Sequence, residues 1–162
     1  MIQSKSSTNG HTREYERAGI DDLTGLWNRA GFIAAATPVF VSCQRRAAPI
    51  SLAFFDFHAD AAMAADLTTV DQVLMGMADL MRRAFRASDV PGRIDRLRFA
   101  VLLTDCNDDA LAAIDGVRAL TDATAPQRLT LTAGMVHSAP GGTLEELLRA
   151  AELRAQDLDD SK

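Results

Sequence analysis

Residues 21–32 read Asp-Asp-Leu-Thr-Gly-Leu-Trp-Asn-Arg-Ala-Gly-Phe, and this stretch decides the fold of the chain. Asp21, Thr24 and Asn28 carry short polar side chains that can bond nearby backbone groups. Gly25 can adopt a positive φ without steric cost. Together these residues indicate a tight turn, although a generic helix-capping turn would have a similar composition.

A helix is predicted directly after this turn. The stretch from Ala30 to Val41 is mostly apolar and is followed by Gln44, Arg45 and Arg46. Cationic side chains stabilise the negative end of a helix, so these residues suit its last turn.

Two further patterns predict the centre of the domain. The stretch from Ile50 to Phe57 is a short apolar run with one acid, Asp56, which we expect at the end of a central strand covered on both faces. Between Val70 and Ala84, apolar residues recur at spacings of three and four, which predicts a long amphipathic helix.

The second half of the chain predicts a β-hairpin followed by helix, strand and helix. Arg93 to Asp95 and Leu97 to Leu103 form the hairpin, and Pro91 and Gly92 are expected to weaken or bulge its first strand. The later elements are a helix capped by Asn107, a strand from Leu129 to Met135, and a helix opened by a Thr143–Glu146 capping box. A hairpin and helical crossovers in one sheet predict an α+β fold with helices packed on the sheet.

The composition excludes several classes of protein. A chain of 162 residues, 48% of them apolar, can bury one core but is short for two domains. The net charge of -5 argues against sequence-independent nucleic-acid binding, which needs a basic surface. No apolar run has the length of a membrane span, and the first residues lack a secretion signal, so a cytoplasmic protein without a membrane partner is expected.

The histidines and cysteines do not indicate a metal site. His11, His58, His137, Cys43 and Cys106 show no metal-ligand spacing. We interpret them as surface or packing residues, and we expect no metal and no cofactor.

The turn and the order of elements resemble those of the GGDEF family, the bacterial module that makes or senses cyclic di-GMP. Eight residues match the family's D-x-L-T-G-L-x-N-R-x-x-F segment in register: Asp21, Leu23, Thr24, Gly25, Leu26, Asn28, Arg29 and Phe32. The resemblance covers about residues 19–158, which we expect to form the domain, with residues 1–18 as a mobile N-terminal segment. It implies a fold similar to the palm of nucleotidyl cyclases, with a mixed sheet, a central β-hairpin and flanking helices.

The family's signature is replaced in this chain. Where the family has Gly-Gly-Asp/Glu-Glu, this chain has Asp95, Arg96, Leu97 and Arg98. The resemblance implies that the glycines let the backbone approach guanine nucleotide, and that the acids hold metal and assist catalysis. Leu97 cannot ligate magnesium and Arg98 has the opposite charge. We call Asp56, at the family's magnesium-binding position, and these four residues the vestigial site, and we assign no catalytic residue.

Other positions that contact substrate in the family have also changed. After Asp56 the family continues with a second acid, Phe-Lys and Asn-Asp, whereas this chain has His58, Asp60, Ala61, Ala64 and Ala65 in a loop about two residues shorter. A tyrosine and a lysine of the family's last helix are replaced by Gln156 and Asp159. The resemblance therefore implies the loss of metal, base and phosphate contacts together.

One ligand motif of the family is retained. Arg86 and Asp89 match its R-x-x-D inhibitory site, which binds cyclic di-GMP, and five residues lie between Asp89 and the signature position. A guanidinium can grip guanine or phosphate, and a carboxylate can accept from the guanine edge. The same two residues would also suit a turn that leads from a helix into the hairpin, and the sequence leaves both interpretations open.

Three functions follow as hypotheses. The first is a non-catalytic receptor that binds cyclic di-GMP through Arg86 and Asp89 and signals through an unidentified protein partner. The second is a protein-interaction module that needs no nucleotide. The third, an active diguanylate cyclase, is disfavoured because phosphoryl transfer depends on positioning and metal electrostatics, and the groups for both are replaced.

Overall fold

The computed structural model describes residues 18–104, 108–124 and 129–159, so the predicted cap Asn107 and nearly all of the predicted mobile segment lie outside it. Its elements are α1 (Arg29–Arg45), β1 (Ile50–Ala59), α2 (Ala61–Ala65), α3 (Leu67–Ala84), β2 (Val90–Asp95), β3 (Arg98–Thr104), α4 (Asp108–Thr124), β4 (Leu129–His137) and α5 (Leu144–Asp159).

Strand β1 is the central strand of a four-stranded sheet with the order β2-β3-β1-β4. Its residues from Ile50 to Phe57 are all buried, as the apolar run predicted. The predicted end of the strand was wrong, because β1 continues three residues beyond Asp56 to Ala59. Asp56 pairs with Arg98 on one side and Thr132 on the other, so its carboxylate belongs to the sheet rather than to a loop.

The predicted α+β fold with a central hairpin and flanking helices is confirmed. The strand directions differ from the expectation, because all three pairings within the sheet are antiparallel. The reason is topological: the helical crossover from β1 leads to β2, yet β3, the returning arm of the hairpin, lies beside β1.

Pro91 and Gly92 do not interrupt the first arm of the hairpin. Both residues pair with β3, and the irregularity in register lies between Arg93 and Asp95 instead. Strand β2 is at the edge of the sheet, where the missing N–H of a proline leaves no neighbour unpaired.

The helices cover the two faces of the sheet. One apolar cluster joins α3 and α4 to the face that carries Phe55 and Phe57. The other joins α1 and α5 to the face that carries Leu52 and Phe54. Asp56 has the same parity as Leu52 and Phe54, so it lies on the α1 and α5 face, near the end of the sheet.

The helix starts are set by side-chain caps. Asn28 accepts from the N–H of Gly31, and the predicted capping box is confirmed by reciprocal bonds between Thr143 and Glu146. The short helix α2 was not predicted, since an alanine-rich run of five residues has no periodic pattern. Asp66 caps the next helix by accepting from the N–H and the hydroxyl of Thr69.

Gly31 is where α1 comes closest to the turn before it. A Cβ on Gly31 would lie 2.0 Å from the carbonyl oxygen of Gly19, whereas one on Gly76, in α3, would meet nothing within 4 Å. We expect Gly31→Ala to lower the free energy of unfolding by about 1–3 kcal/mol. Gly76→Ala should raise it by about 0.5–1 kcal/mol, because glycine is a poor helix former. Chemical denaturation of both variants tests this, and a Gly31→Ala protein as stable as the original would contradict the packing described.

Candidate functional site

The turn before α1 is organised by the carboxylate of Asp21. Its Oδ1 accepts from the backbone N–H of Thr24 at 2.8 Å and from the Thr24 hydroxyl at 2.6 Å. Gly25 has a φ of 68°, as the sequence predicted, and its N–H donates to the carbonyl of Asp21. The Nδ2 of Asn28 donates to the carbonyl of Ala18 at 2.7 Å. These bonds fix the turn from both ends.

Arg93 fastens this turn to the hairpin. Its Nη1 lies 3.0 Å and 3.1 Å from the two carboxylate oxygens of Asp21, and its backbone N–H donates to the carbonyl of Trp27 at 2.7 Å. Its Nη2 also donates to the carbonyl of Arg96 at 2.8 Å. Burial raises the pKa of Asp21, but the hydrogen bonds from Thr24 and Arg93 outweigh it and hold the pKa below its ordinary value.

Asp56 and Arg98 form an ion pair across β1 and β3. Nη2 of Arg98 lies 2.7 Å from Oδ2 of Asp56, and Nε of Arg98 lies 3.1 Å from the same oxygen. Both side chains are largely buried, with exposed fractions of 11% for Asp56 and 23% for Arg98. Burial lowers the pKa of Arg98, but the Asp56 carboxylate outweighs it and the pKa is raised, which keeps the guanidinium charged.

A second carboxylate lies near this pair. Glu152 of α5 contributes electrostatically to the raised pKa of Arg98, and its Oε1 lies 3.1 Å from Nη1 of Arg29. Arg98 is therefore influenced by carboxylates of both β1 and α5, and the negative charge of Asp56 is matched within the protein.

The other residues of the vestigial site lie at the tip of the hairpin. Asp95 and Arg96 are exposed, and Oδ1 of Asp95 accepts from the N–H of Arg96 at 2.7 Å. Leu97 is partly buried against the α3 and α4 cluster, and its carbonyl accepts from the N–H of Phe57 at 2.9 Å. The structure thus brings together Asp56 and Arg98, while the other three residues complete the turn.

The donor set does not fit the divalent metal that the family implies. The carboxylate oxygen of Asp56 already accepts two guanidinium N–H groups, and the neighbouring position in the signature is the apolar Leu97. Magnesium needs several oxygen ligands in near-octahedral geometry. Within the described ranges, the structure has no group of three histidines, cysteines or acids that could hold a metal ion.

The segment after Asp56 is more ordered than a loop. His58 is partly buried within β1 and Asp60 is exposed just beyond that strand. Ala61, Ala64 and Ala65 belong to helix α2, so alanine methyl groups stand where the resemblance implies polar contacts to substrate. Gln156 is exposed on α5.

The R-x-x-D motif forms a compact turn between α3 and β2. Asp89 is 9% exposed, its Oδ2 accepts from the N–H of Arg86 at 2.9 Å, and its Oδ1 accepts from the N–H of Thr104 at 3.3 Å. The N–H of Asp89 donates back to the carbonyl of Arg86 at 3.0 Å. The side chain of Arg86 is exposed. Asp89 therefore has a local structural role, and Arg86 is the part of the motif that reaches solvent.

The family of the chain follows from its match to a model of a known domain. Residues 18–161 match the model of the diguanylate cyclase GGDEF domain, which is nearly the whole chain. The chain belongs to the GGDEF domain family. No curated protein matches this GGDEF domain significantly.

Solved GGDEF domains share the fold at low sequence identity. The coiled coil and GGDEF domain of DgcB from Caulobacter crescentus, in complex with c-di-GMP, is 18% identical, with a TM-score of 0.81 over 94% of this chain and 87% of that one. The FimX GGDEF domain from Pseudomonas aeruginosa is 21% identical, with a TM-score of 0.76 over 89% and 95%. The diguanylate cyclase SiaD from Pseudomonas aeruginosa, in complex with its activator SiaC, is 23% identical, with a TM-score of 0.75 over 94% and 64%. None of the helices in the described ranges is long and apolar enough to cross a membrane.

Sequence reasoning missed the two ion pairs of the hairpin. Asp21 and Arg93 are 72 residues apart, and Asp56 and Arg98 are 42 residues apart, so no local pattern connects them. One signal was present for the second pair: an acid in an apolar strand needs a positive partner, and Arg98 stands where the family has an acid.

The Asp21 carboxylate, which accepts from Thr24 and pairs with Arg93, gives this GGDEF domain an acid-sensitive contribution to stability. Because the pKa of Asp21 is lowered in the folded state, the contribution is present above the ordinary value of 3.8 and is lost as the pH falls through the lower folded-state pKa. We expect Asp21→Asn to lower the free energy of unfolding at neutral pH by about 1–3 kcal/mol and to flatten its decline in acid. Denaturation curves between pH 7 and pH 3 measure both effects.

The matched control for this prediction is Asp22→Asn, which changes the exposed neighbouring acid. It should leave the neutral-pH stability and the acid profile nearly unchanged. Equal profiles for the two variants would show that the bonds of Asp21 to Thr24 and Arg93 contribute nothing beyond general surface charge.

Proposed function

We propose that this GGDEF domain is non-catalytic and acts in bacterial cyclic di-GMP signalling by binding a partner protein. The observation that carries the proposal is the ion pair between Arg98 and Asp56. In phosphoryl transfer, metal ions held by carboxylates neutralise charge on the phosphates. Here the guanidinium of Arg98 neutralises the carboxylate itself, so a metal would have to displace a buried arginine.

The remaining changes support the same proposal. Asp95 and Arg96 put side chains at the hairpin tip where the family has bare glycines, and the alanines of α2 offer no polar group to a triphosphate. The relative SiaD, which was solved with its activator SiaC, provides an example of a GGDEF protein in complex with another protein. A domain that keeps the fold but has no catalytic activity acts through the surfaces that it presents to other proteins.

The first test is the absence of cyclase activity. We expect purified protein with GTP and magnesium or manganese to form no cyclic di-GMP, at least about a hundredfold below SiaD with its activator, because several positioning groups are missing. Replacing Asp95-Arg96-Leu97-Arg98 by Gly-Gly-Asp-Glu should not restore turnover, since α2 still lacks substrate contacts. Chromatography of the nucleotide products measures this. Steady product formation that disappears in Asp56→Ala would refute the proposal.

A second candidate function is that of a cyclic di-GMP receptor. The exposure of Arg86 favours it, and so does the relative DgcB, which was solved with c-di-GMP. The carboxylate of Asp89 favours it less, because both oxygens accept backbone N–H groups within the protein. Binding of this kind would therefore depend mainly on Arg86.

Calorimetric titration with cyclic di-GMP separates the two candidates. If the receptor function holds, Arg86→Ala should weaken binding at least about tenfold, since a charged hydrogen bond contributes about 1.5–3 kcal/mol. Arg83→Ala is the matched control, because Arg83 is an exposed arginine in the last turn of α3 and should leave affinity unchanged. If saturating ligand produces neither heat nor a shift in melting temperature, the receptor function is excluded and only the partner-binding function remains.

A further inference from the structure

The outer surface of α1 is a basic region on an acidic protein. No acidic residue occurs between Asp22 and Asp56, whereas the net charge of the chain is -5. Arg45 and Arg46 close the helix, and both are exposed. Neither forms an ion pair with a carboxylate in the part of the chain that the structure describes. Their positive charge is therefore available to an anionic partner.

Two adjoining open depressions lie along this surface. The first, of about 730 Å³, is lined by α1 from Ala34 through Pro38 and Val41 to Arg46. The second, of about 540 Å³, lies between α1 and the segments that carry Ser88 and Thr104. They share Pro38 and Arg46, so they form one continuous depression, which we call the α1 groove. Among the described residues, no acidic side chain lines it.

The α1 groove has an apolar middle and a cationic end. Val41, which is 38% exposed, and Pro38 lie in its middle, while both arginines lie at its C-terminal end. From Ala34 to Arg45 the helix rises about 16 Å, the length of roughly three helical turns. An apolar strip of this length with charge at one end matches an amphipathic helix laid into a groove.

Two other anionic occupants fit this arrangement less well. A small anion is held by donors that converge on one point, whereas here the arginines flank an apolar strip. An anionic membrane is recognised by clusters of about four to eight cations, and the groove offers two. Charge complementarity and shape together favour an acidic helix.

We propose that the α1 groove binds an acidic amphipathic helix of the partner protein, with the apolar side of that helix on Pro38 and Val41 and its carboxylates on Arg45 and Arg46. This inference rests on the proposed function, because it names the surface through which the domain engages its partner. The guanidinium groups would receive carboxylates at the edge of the contact, where they set orientation and speed association.

Site-specific photo-crosslinking in the bacterium that encodes the chain tests the inference. The photoreactive residue p-benzoylphenylalanine replaces Val41 in the full chain, and mass spectrometry identifies the cross-linked peptide. The control position is Leu67, which is 59% exposed on α3. We expect an adduct at position 41, and none at 67, with a peptide of helical apolar periodicity and net negative charge.

The charge of the groove is tested in the same cells. Arg45→Glu with Arg46→Glu should reduce the adduct at least tenfold and weaken binding of the corresponding synthetic peptide to purified protein by a similar factor. Arg149→Glu with Arg154→Glu, which reverses two exposed arginines of α5, should change neither. Circular dichroism melting curves establish that both double variants are folded.

The outcomes separate this inference from the function on which it rests. An adduct at Leu67 with a partner protein, and none at Val41, would overturn the α1 groove and leave the partner-binding function standing. The inference would also be overturned if position 41 formed adducts only with a second copy of this chain, with lipid or with a basic segment. It would be overturned as well if cyclic di-GMP displaced the peptide equally from the original protein and from the Arg45→Glu, Arg46→Glu variant. Migration of the tagged chain as a monomer in native lysate, with no adduct at either position, would count against both.

Discussion

A carboxylate in a buried strand must be matched by positive charge, and this constraint governs the end of the sheet where Asp56 lies. Asp56 is buried in the central strand β1, between β3 and β4. Removing an ion from water costs several kcal/mol unless a partner and hydrogen bonds offset it. In the family that position binds magnesium, according to the resemblance, whereas here Arg98 supplies the charge from the neighbouring strand. The negative charge of Asp56 is thus balanced by a side chain of the same sheet.

Two arginines attach the hairpin to other parts of the domain. Arg93 reaches from β2 to Asp21 in the turn before α1, and Arg98 reaches from β3 to Asp56 in β1. Each pair joins segments that are distant in sequence, so each restrains the hairpin against a different part of the domain. A hairpin held in this way by side chains has less freedom to rearrange around a substrate than a glycine turn would have.

The sequence was sufficient for the elements whose signal is local. The turn, the capping box of Thr143 and Glu146, and the buried strand from Ile50 each follow from a few adjacent residues, and the structure confirms them. It was insufficient where pairing decides the outcome. The end of β1, the register shift near Arg93 and the contact between Asp56 and Arg98 depend on which strand lies beside which. Periodicity carries no information about that choice.

The R-x-x-D turn shows why a retained motif does not by itself identify a ligand site. Asp89 accepts N–H groups from Arg86 and Thr104, and in doing so it ties the end of α3 to the end of β3. Accepting these two N–H groups uses both carboxylate oxygens, whether or not a nucleotide binds. In the hydrogen bonds of this turn, residue 86 takes part through its backbone N–H and its carbonyl. The bonds that Asp89 makes within the fold therefore account for the aspartate of the motif, and its presence is not by itself evidence of a bound nucleotide.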